Sequence, residues 1–85
     1  MPLSTKAMSL VTALLWGASI LFVCLLHMAV PHYGTGFLDG VSSIYPGFHG
    51  ARDFTDAMVG TGYGLVDGAF GGFVLAWLYN TIARA

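Results

Sequence analysis

Two long apolar stretches dominate the pattern of hydrophobic and polar positions, at residues 7–30 and 57–79. The first contains no acidic or basic residue apart from a histidine, and the second contains one acid, Asp67. Because about 20 residues of helix cross the hydrocarbon layer of a bilayer, each stretch is long enough to span it. The pattern predicts an all-α membrane protein, an antiparallel hairpin of two transmembrane helices over residues 7–30 and 54–82.

The sequence around the start of each apolar stretch bears on the prediction of two spans. Asp53 and Asp56 precede the second apolar stretch and supply an N-cap and a negative first turn to the unpaired N–H groups of a helix start. A cleaved signal peptide is the alternative reading of the first stretch. Its apolar region is normally shorter, however, and no small-residue cleavage site follows this one.

The connecting segment is amphipathic. Its larger apolar residues recur at helical spacing, with polar or small residues opposite them: Phe37, Leu38, Val41, Ile44, Tyr45 and Phe48 against Asp39, Gly40, Ser42 and Ser43. This spacing predicts a short helix over residues 35–45 that lies in the membrane interface, ended by Pro46 and Gly47. An ordered loop packed on the ends of the helices is the alternative.

Composition and charge support a membrane location. Hydrophobic residues make up 56% of the 85 residues and charged residues 8%, against about a quarter in soluble domains. With a net charge of −1, nothing in the chain points to nucleic acid as a ligand, and we expect none. Lys6 and Arg84 flank the spans whereas Arg52 lies between them, so the positive-inside rule predicts both termini in the cytoplasm, with Trp77 and Tyr79 at that interface.

Small residues recur in steps of four along the second span. The row is Gly60, Gly64, Gly68, Gly72 and Ala76, with Gly71 beside it, and the first span has a shorter row, Ser9, Ala13 and Gly17. Such rows let helix backbones approach closely in lipid. Aligning the ends of the two apolar stretches predicts that Gly17 lies at the depth of Phe70 and that a seam runs through Gly68, Gly72 and Ala76. Gly60 and Gly64 would then be available to a helix of another protein.

Asp67 is the one carboxylic acid inside either apolar stretch. An ionised side chain at the bilayer centre costs about 2.5–3.5 kcal/mol even on the lenient insertion scale. Helical geometry puts Asp67 within about 60° of Gly60, Gly64 and Gly71, so we expect it on the packing face, neutral or paired with a cation. The first span offers only Ser19 at comparable depth. Three roles remain open: an interhelical hydrogen bond, pairing with another subunit, and ion or proton transfer.

Three histidines and one cysteine lie near the connecting segment: His27, His32, His49 and Cys24. Imidazoles bind metals, and His27 could be the axial ligand of a haem or a chlorophyll-type pigment. The spacing is irregular, so we expect no metal and no cofactor, and Cys24 is expected to pack as a small apolar residue. No catalytic constellation is visible, which predicts that the protein is not an enzyme.

The stretch YGLVDGAFGGFVLAWLYN at residues 63–80, with Tyr45, Pro46 and Gly47 upstream, resembles a family of small bacterial two-span membrane proteins commonly labelled phage-holin-like or left without a function. The resemblance covers most of the chain and is most specific at Asp67-Gly68, Gly71-Gly72 and Ala76 to Asn80, whereas residues 49–56 depart from the pattern. It implies a bacterial cytoplasmic membrane location and an oligomeric pore that releases lytic enzymes.

Two functions remain as hypotheses. The first is a small accessory or structural subunit that docks its glycine-rich helix face onto a larger membrane complex of respiratory, photosynthetic or transport type. The alternative is a holin-like, self-oligomerising pore. The partners expected are membrane lipids and either a larger complex or further copies of the chain. An ion-translocating ring subunit fits poorly, because such subunits carry glycines in the first helix and a short polar loop.

Overall fold

The computed structural model describes residues 2–84 and contains three helices, α1 (Thr5–Ala29), α2 (Thr35–Ser42) and α3 (Phe54–Arg84). No strand occurs within residues 2–84. Both α1 and α3 are long and apolar enough to cross a membrane, with a mean hydropathy of 2.3 and 1.2 over an 18-residue window. Only 22% and 17% of these windows are buried within the chain, so most of their apolar surface faces outward, which suggests membrane association.

Local sequence signals define the ends of the long helices. Ser4 Oγ accepts the N–H of Ala7 at 3.1 Å and caps α1, and the chain leaves helical geometry at Val30, before Pro31. Asp53 Oδ1 accepts the N–H of Asp56 at 2.6 Å, which confirms the predicted cap of the second long helix. The predicted bounds of 7–30 and 54–82 differ from those observed by one or two residues.

α1 and α3 pack along their length in opposite directions. At one end, Asn80 bonds to the backbone of Leu3, and at mid-length a Cβ added to Gly64 would lie 3.1 Å from Gly17 Cα. Gly17 therefore meets Gly64, not Phe70, and the predicted register is wrong by about one and a half turns. Aligning the apolar ends gave the wrong register, because the register depends on where small residues let the two backbones touch and not on where the apolar stretches end.

The connecting segment folds back along the flank of the two long helices. α2 is shorter than the predicted 35–45 and continues as a turn, in which Tyr45 N donates to Val41 O at 3.1 Å. The ring of Phe37 meets that of Trp16 edge-on at 5.8 Å, and Trp16 lies 13 residues, or about 20 Å, before the end of α1. The alternative of a loop packed only on the helix ends is therefore wrong.

Folding back creates a small core near the connecting segment. Leu38 and Phe48 are 1% and 2% exposed, and they pack in one cluster with Ile20, Cys24, Val41, Tyr45 and Ala57. One face of α2 is thus buried against the spans, and its other face, with Asp39 and Gly40, stays exposed. At this end the ring of Phe48, and not a backbone atom of α1, covers Gly60 of α3.

Candidate functional site

The small residues of α3 form a seam that faces the rest of this chain. Gly60, Gly64, Gly68, Gly72 and Ala76 are all buried. A Cβ added to Gly68 would lie 2.8 Å from Ala13 Cα and would contact Thr12 O more closely still, and one added to Gly72 would lie 2.8 Å from Met8 C. The backbones of α1 and α3 are therefore in direct contact, as the seam through Gly68, Gly72 and Ala76 required.

The two glycines nearest the connecting segment are covered as well. A Cβ on Gly60 would lie 2.6 Å from the ring of Phe48, and one on Gly64 would lie 2.7 Å from Ile20 Cδ1. The prediction that Gly60 and Gly64 accept a helix from another protein is therefore wrong. The connecting segment, which the sequence pattern placed in the interface, supplies the side chain that covers Gly60.

Gly71 does not belong to the seam. It is exposed, and a Cβ added there would meet no other atom within 4 Å. Each residue turns a helix by about 100°, so Gly71 points well away from its neighbour Gly72. The prediction that Gly71 is a helix-packing residue is not met by any contact within this chain, and Gly71 marks an open stretch on the outside of α3.

Not all three residues of the short row on α1 lie in the seam. Ala13 and Gly17 are buried in the seam, but Ser9 Oγ donates to Thr5 O of its own helix at 2.7 Å. Thr12 makes the polar contact across the seam, because its hydroxyl lies 2.8 Å from Met8 O and 2.5 Å from Gly68 O. Sequence reasoning missed Thr12, although a hydroxyl next to a small-residue row is a known source of interhelical hydrogen bonds.

Asp67 lies outside the seam, at the centre of a short polar network. It is exposed at the surface of the chain, and its Oδ2 accepts a hydrogen bond of 2.8 Å from the hydroxyl of Tyr45. Trp16 Nε1 donates to the same Tyr45 oxygen at 2.7 Å, and the ring of Tyr63 stacks on that of Tyr45 at 5.0 Å. The network joins all three segments: α1 through Trp16, the connecting segment through Tyr45 and α3 through Asp67.

Two predictions about Asp67 are thereby corrected. It is not on the face that packs against α1, because it lies about 100° and 140° around α3 from Gly68 and Gly72, which meet the backbone of α1. Ser19 is not its partner, since Ser19 is exposed and donates to Leu15 O at 2.7 Å. The partner is Tyr45, which sequence reasoning had assigned only to the membrane interface.

Burial raises the pKa of the Tyr45 phenol above its ordinary value. The hydrogen bond from Trp16 opposes this shift, and the nearby Asp67 adds to it. Tyr45 therefore keeps its proton at neutral pH. Its hydroxyl accepts from the Trp16 indole and donates to the Asp67 carboxylate, which is the direction of both hydrogen bonds.

A second polar cluster fastens the connecting segment to the neighbouring ends of α1 and α3. The buried Asp56 accepts the N–H of His49 at 3.0 Å and that of Ala51 at 2.8 Å. Arg52 Nε donates to His27 O at 3.0 Å, and its guanidinium also donates to Met28 O. These bonds satisfy backbone groups of the loop and the exposed carbonyls at the end of α1.

His27 is buried, and its Nδ1 lies 3.0 Å from Tyr33 O. Because a carbonyl oxygen only accepts, Nδ1 carries the proton of this bond. Within residues 2–84, no three side chains of His, Cys, Asp or Glu come together in a way that could hold a metal ion. Cys24 is 2% exposed and lies in the apolar core with Ile20 and Leu38.

Comparisons with protein-family models, with curated proteins and with solved structures find no match. The resemblance to phage-holin-like proteins therefore stays a prediction.

Proposed function

We propose that this chain is a small integral membrane protein of the bacterial cytoplasmic membrane that serves as an accessory subunit of a larger membrane complex. In this proposal α1 and α3 cross the bilayer as an antiparallel hairpin, with both termini in the cytoplasm. The distribution of Lys6 and Arg84 supports the orientation, and the outward-facing apolar surface of both helices supports the bilayer location.

The length of α3 leaves room for a polar connecting segment at the headgroups. Its 31 residues measure about 46 Å, whereas the hydrocarbon layer is about 30 Å thick. We propose that the two ends of the connecting segment, near His32 and Arg52, lie at the headgroups of the outer leaflet. α2 and Asp67 lie deeper, because Phe37 meets Trp16 about 20 Å before the end of α1 and Tyr45 bonds to Asp67.

The observation that carries the accessory-subunit proposal is the exposure of Asp67. An acidic group in hydrocarbon is costly, and such residues almost always face a partner or a water-filled cavity. Tyr45 supplies one hydrogen bond to Oδ2. The exposed remainder of the carboxylate calls for a neighbour outside this chain, such as a helix with a basic or hydrogen-bonding side chain at the same depth.

Gly71 makes this surface accessible to a helix backbone. It lies one turn beyond Asp67 and about 40° around α3, and nothing in the chain covers it. We define the Asp67 face as Asp67, Gly71 and the exposed Phe70. Because the glycine row is occupied by α1 and Phe48, docking onto a respiratory, photosynthetic or transport complex is assigned to the Asp67 face.

Purification of tagged protein in mild detergent tests this assignment. We expect the wild-type chain to co-purify with a larger complex in fixed stoichiometry and Gly71→Leu to lose that complex. Gly62→Leu is the matched control, because Gly62 is equally uncovered but lies about 140° from Asp67. Equal retention by Gly71→Leu and Gly62→Leu, or a wild-type chain that migrates alone, would overturn the proposal.

Asp67→Asn then identifies the kind of partner. Asparagine keeps a hydrogen-bonding side chain but cannot pair with a cation as a carboxylate does. Retention of the complex would indicate a hydrogen-bonding neighbour, and its loss would indicate a basic one.

A holin-like pore is the second candidate, because the exposed Asp67 of several copies could line a polar channel. This function predicts a ladder of homo-oligomers in mild detergent and loss of membrane potential on expression. Gly71→Leu should abolish both effects, since Gly71 lies on the surface that copies would share, while Gly62→Leu should preserve them.

A further inference from the structure

The end of the molecule opposite the connecting segment contains a cleft of about 460 Å³. It lies between the N-terminal residues and the last turns of α3, and its lining includes Pro2, Thr5, Trp77, Asn80, Thr81 and Arg84. The network around Asp67 has no part in this cleft. A ligand here would therefore be independent of the docking surface proposed above.

Asn80 holds the two walls of the cleft together. Its Oδ1 accepts the N–H of Leu3 at 2.6 Å, and its Nδ2 donates to Leu3 O at 2.8 Å. This paired hydrogen bond fastens the residues before α1 to the penultimate turn of α3. The cleft is consequently a fixed feature of the packed helices and does not depend on the connecting segment.

The chemistry of the cleft is cationic and amphipathic. Arg84 contributes a guanidinium, and Lys6 follows the lining residue Thr5 in the first turn of α1. The nearest Asp or Glu along α3 is Asp67, 17 residues before Arg84 and so about 25 Å away. No acidic side chain of α3 therefore neutralises this end.

The remaining lining residues fit the border between headgroups and acyl chains. Thr5 and Thr81 carry hydroxyls that can donate to phosphate oxygens, and Trp77 is 55% exposed, with an amphipathic ring of the kind that gathers at this depth. Arginine is well suited to phosphate because its planar fork donates two parallel hydrogen bonds. We propose that the cleft binds the phosphate group of an anionic phospholipid in the adjacent leaflet.

Native mass spectrometry of the full chain, released from nanodiscs of equimolar phosphatidylglycerol and phosphatidylcholine, tests this site. We expect the wild-type chain to retain phosphatidylglycerol preferentially, and Arg84→Gln to reduce the retained fraction about fivefold, the usual effect of one basic residue at a charged membrane surface. Arg84→Lys should keep most of the binding. Arg52→Gln, which removes a cation at the other end, should leave retention unchanged.

Further outcomes decide between a site and a general effect of charge. Equal loss of phosphatidylglycerol in Arg84→Gln and Arg52→Gln, or no lipid preference in the wild-type chain, would overturn the proposal. Inorganic phosphate at millimolar concentration should not displace the lipid, because it lacks the glycerol and acyl groups that meet Trp77. Displacement would indicate a site for free phosphate and would overturn the assignment to a lipid. Circular dichroism of each variant checks that both long helices remain.

Discussion

The two halves of the helix pair are held together by different means. In the half near Asn80, α1 and α3 touch backbone to backbone, and a Cβ added at Gly68 or Gly72 would overlap the main chain of α1. In the half near Asp53, a third segment intervenes, and Phe48 and Leu38 occupy the space between the helices. The first half depends on the absence of side chains, and the second depends on their presence.

This difference determines which substitutions each half of the helix pair tolerates. Backbone contact leaves no room for adjustment, because main-chain atoms on both sides are fixed by helical hydrogen bonds. The side-chain half contains rotatable groups and hydrogen bonds that can be removed one at a time. Substitutions should therefore have their largest effects in the backbone half and graded effects in the other.

Gly68→Leu should cause the largest loss of stability. The added Cβ meets Thr12 O and Ala13 Cα, so α1 and α3 must separate, and the contact of the Thr12 hydroxyl with Gly68 O is lost. Overpacking against backbone should lower the free energy of unfolding by more than about 3 kcal/mol. Titration with SDS in mixed micelles, followed by the fluorescence of Trp16 in a Trp77→Phe background, measures this change.

Gly71→Leu provides the matched comparison for Gly68→Leu. Gly71 lies in the same helix three residues later, but its added side chain meets nothing within 4 Å. We expect its unfolding free energy to stay within about 0.5 kcal/mol of the wild-type value. Similar destabilisation by both variants would mean that α1 and α3 do not touch along the Gly68 side of α3.

Asp56→Ala should have the second largest effect, confined to the other half. The substitution leaves the N–H groups of His49 and Ala51 without their charged acceptor, and a hydrogen bond to a charged group contributes about 1.5–3 kcal/mol. We expect a loss of about 2–3 kcal/mol, together with faster hydrogen exchange of these two amides. Asp39→Ala, which removes an exposed carboxylate of the same segment, should change neither quantity.

The sequence predicted those parts of the fold that depend on neighbouring residues. The two long helices follow from apolar runs, and the cap at Asp53 follows from a spacing of three residues to Asp56. The register did not follow, because it depends on which small residues of two separate helices meet. Gly17 against Gly64 is such a pairing, and aligning the ends of the apolar runs could not reveal it.

The candidate site was predicted only in part, for a similar reason. Asp67 stood out as an acid within an apolar run, but its partner Tyr45 lies 22 residues away, and Trp16 lies a further 29 residues from Tyr45. A segment that folds back along the spans brings these groups together, and amphipathic spacing describes which face of that segment is apolar without locating the surface it covers. Gly71 was grouped with the glycine row, and the spacing could not show that α1 and Phe48 cover the row and leave Gly71 open.

Of the three destabilising variants, Tyr45→Phe should lower the free energy of unfolding least, and its effect should be confined to the network of Trp16, Tyr45 and Asp67. The ring, with its stacking on Tyr63, remains, while the Trp16 indole loses its acceptor and Asp67 loses its donor. We expect the free energy of unfolding to fall by about 1–2 kcal/mol. Both groups keep some access to other partners, and a side-chain hydrogen bond between membrane helices contributes less to stability than the same bond in an apolar medium without competing partners. The emission of Trp16 should shift in the same variant.

Tyr63→Phe is the control for Tyr45→Phe, since it removes a phenol from the same aromatic pair without touching Asp67 or Trp16. Its unfolding free energy should stay within about 0.5 kcal/mol of the wild-type value. If Tyr45→Phe and Tyr63→Phe behave alike, the hydroxyl of Tyr45 does not help to hold the connecting segment. If only Tyr45→Phe destabilises the protein and shifts Trp16, the hydroxyl joins the three segments, and Asp67 is fixed in the orientation that a partner would meet.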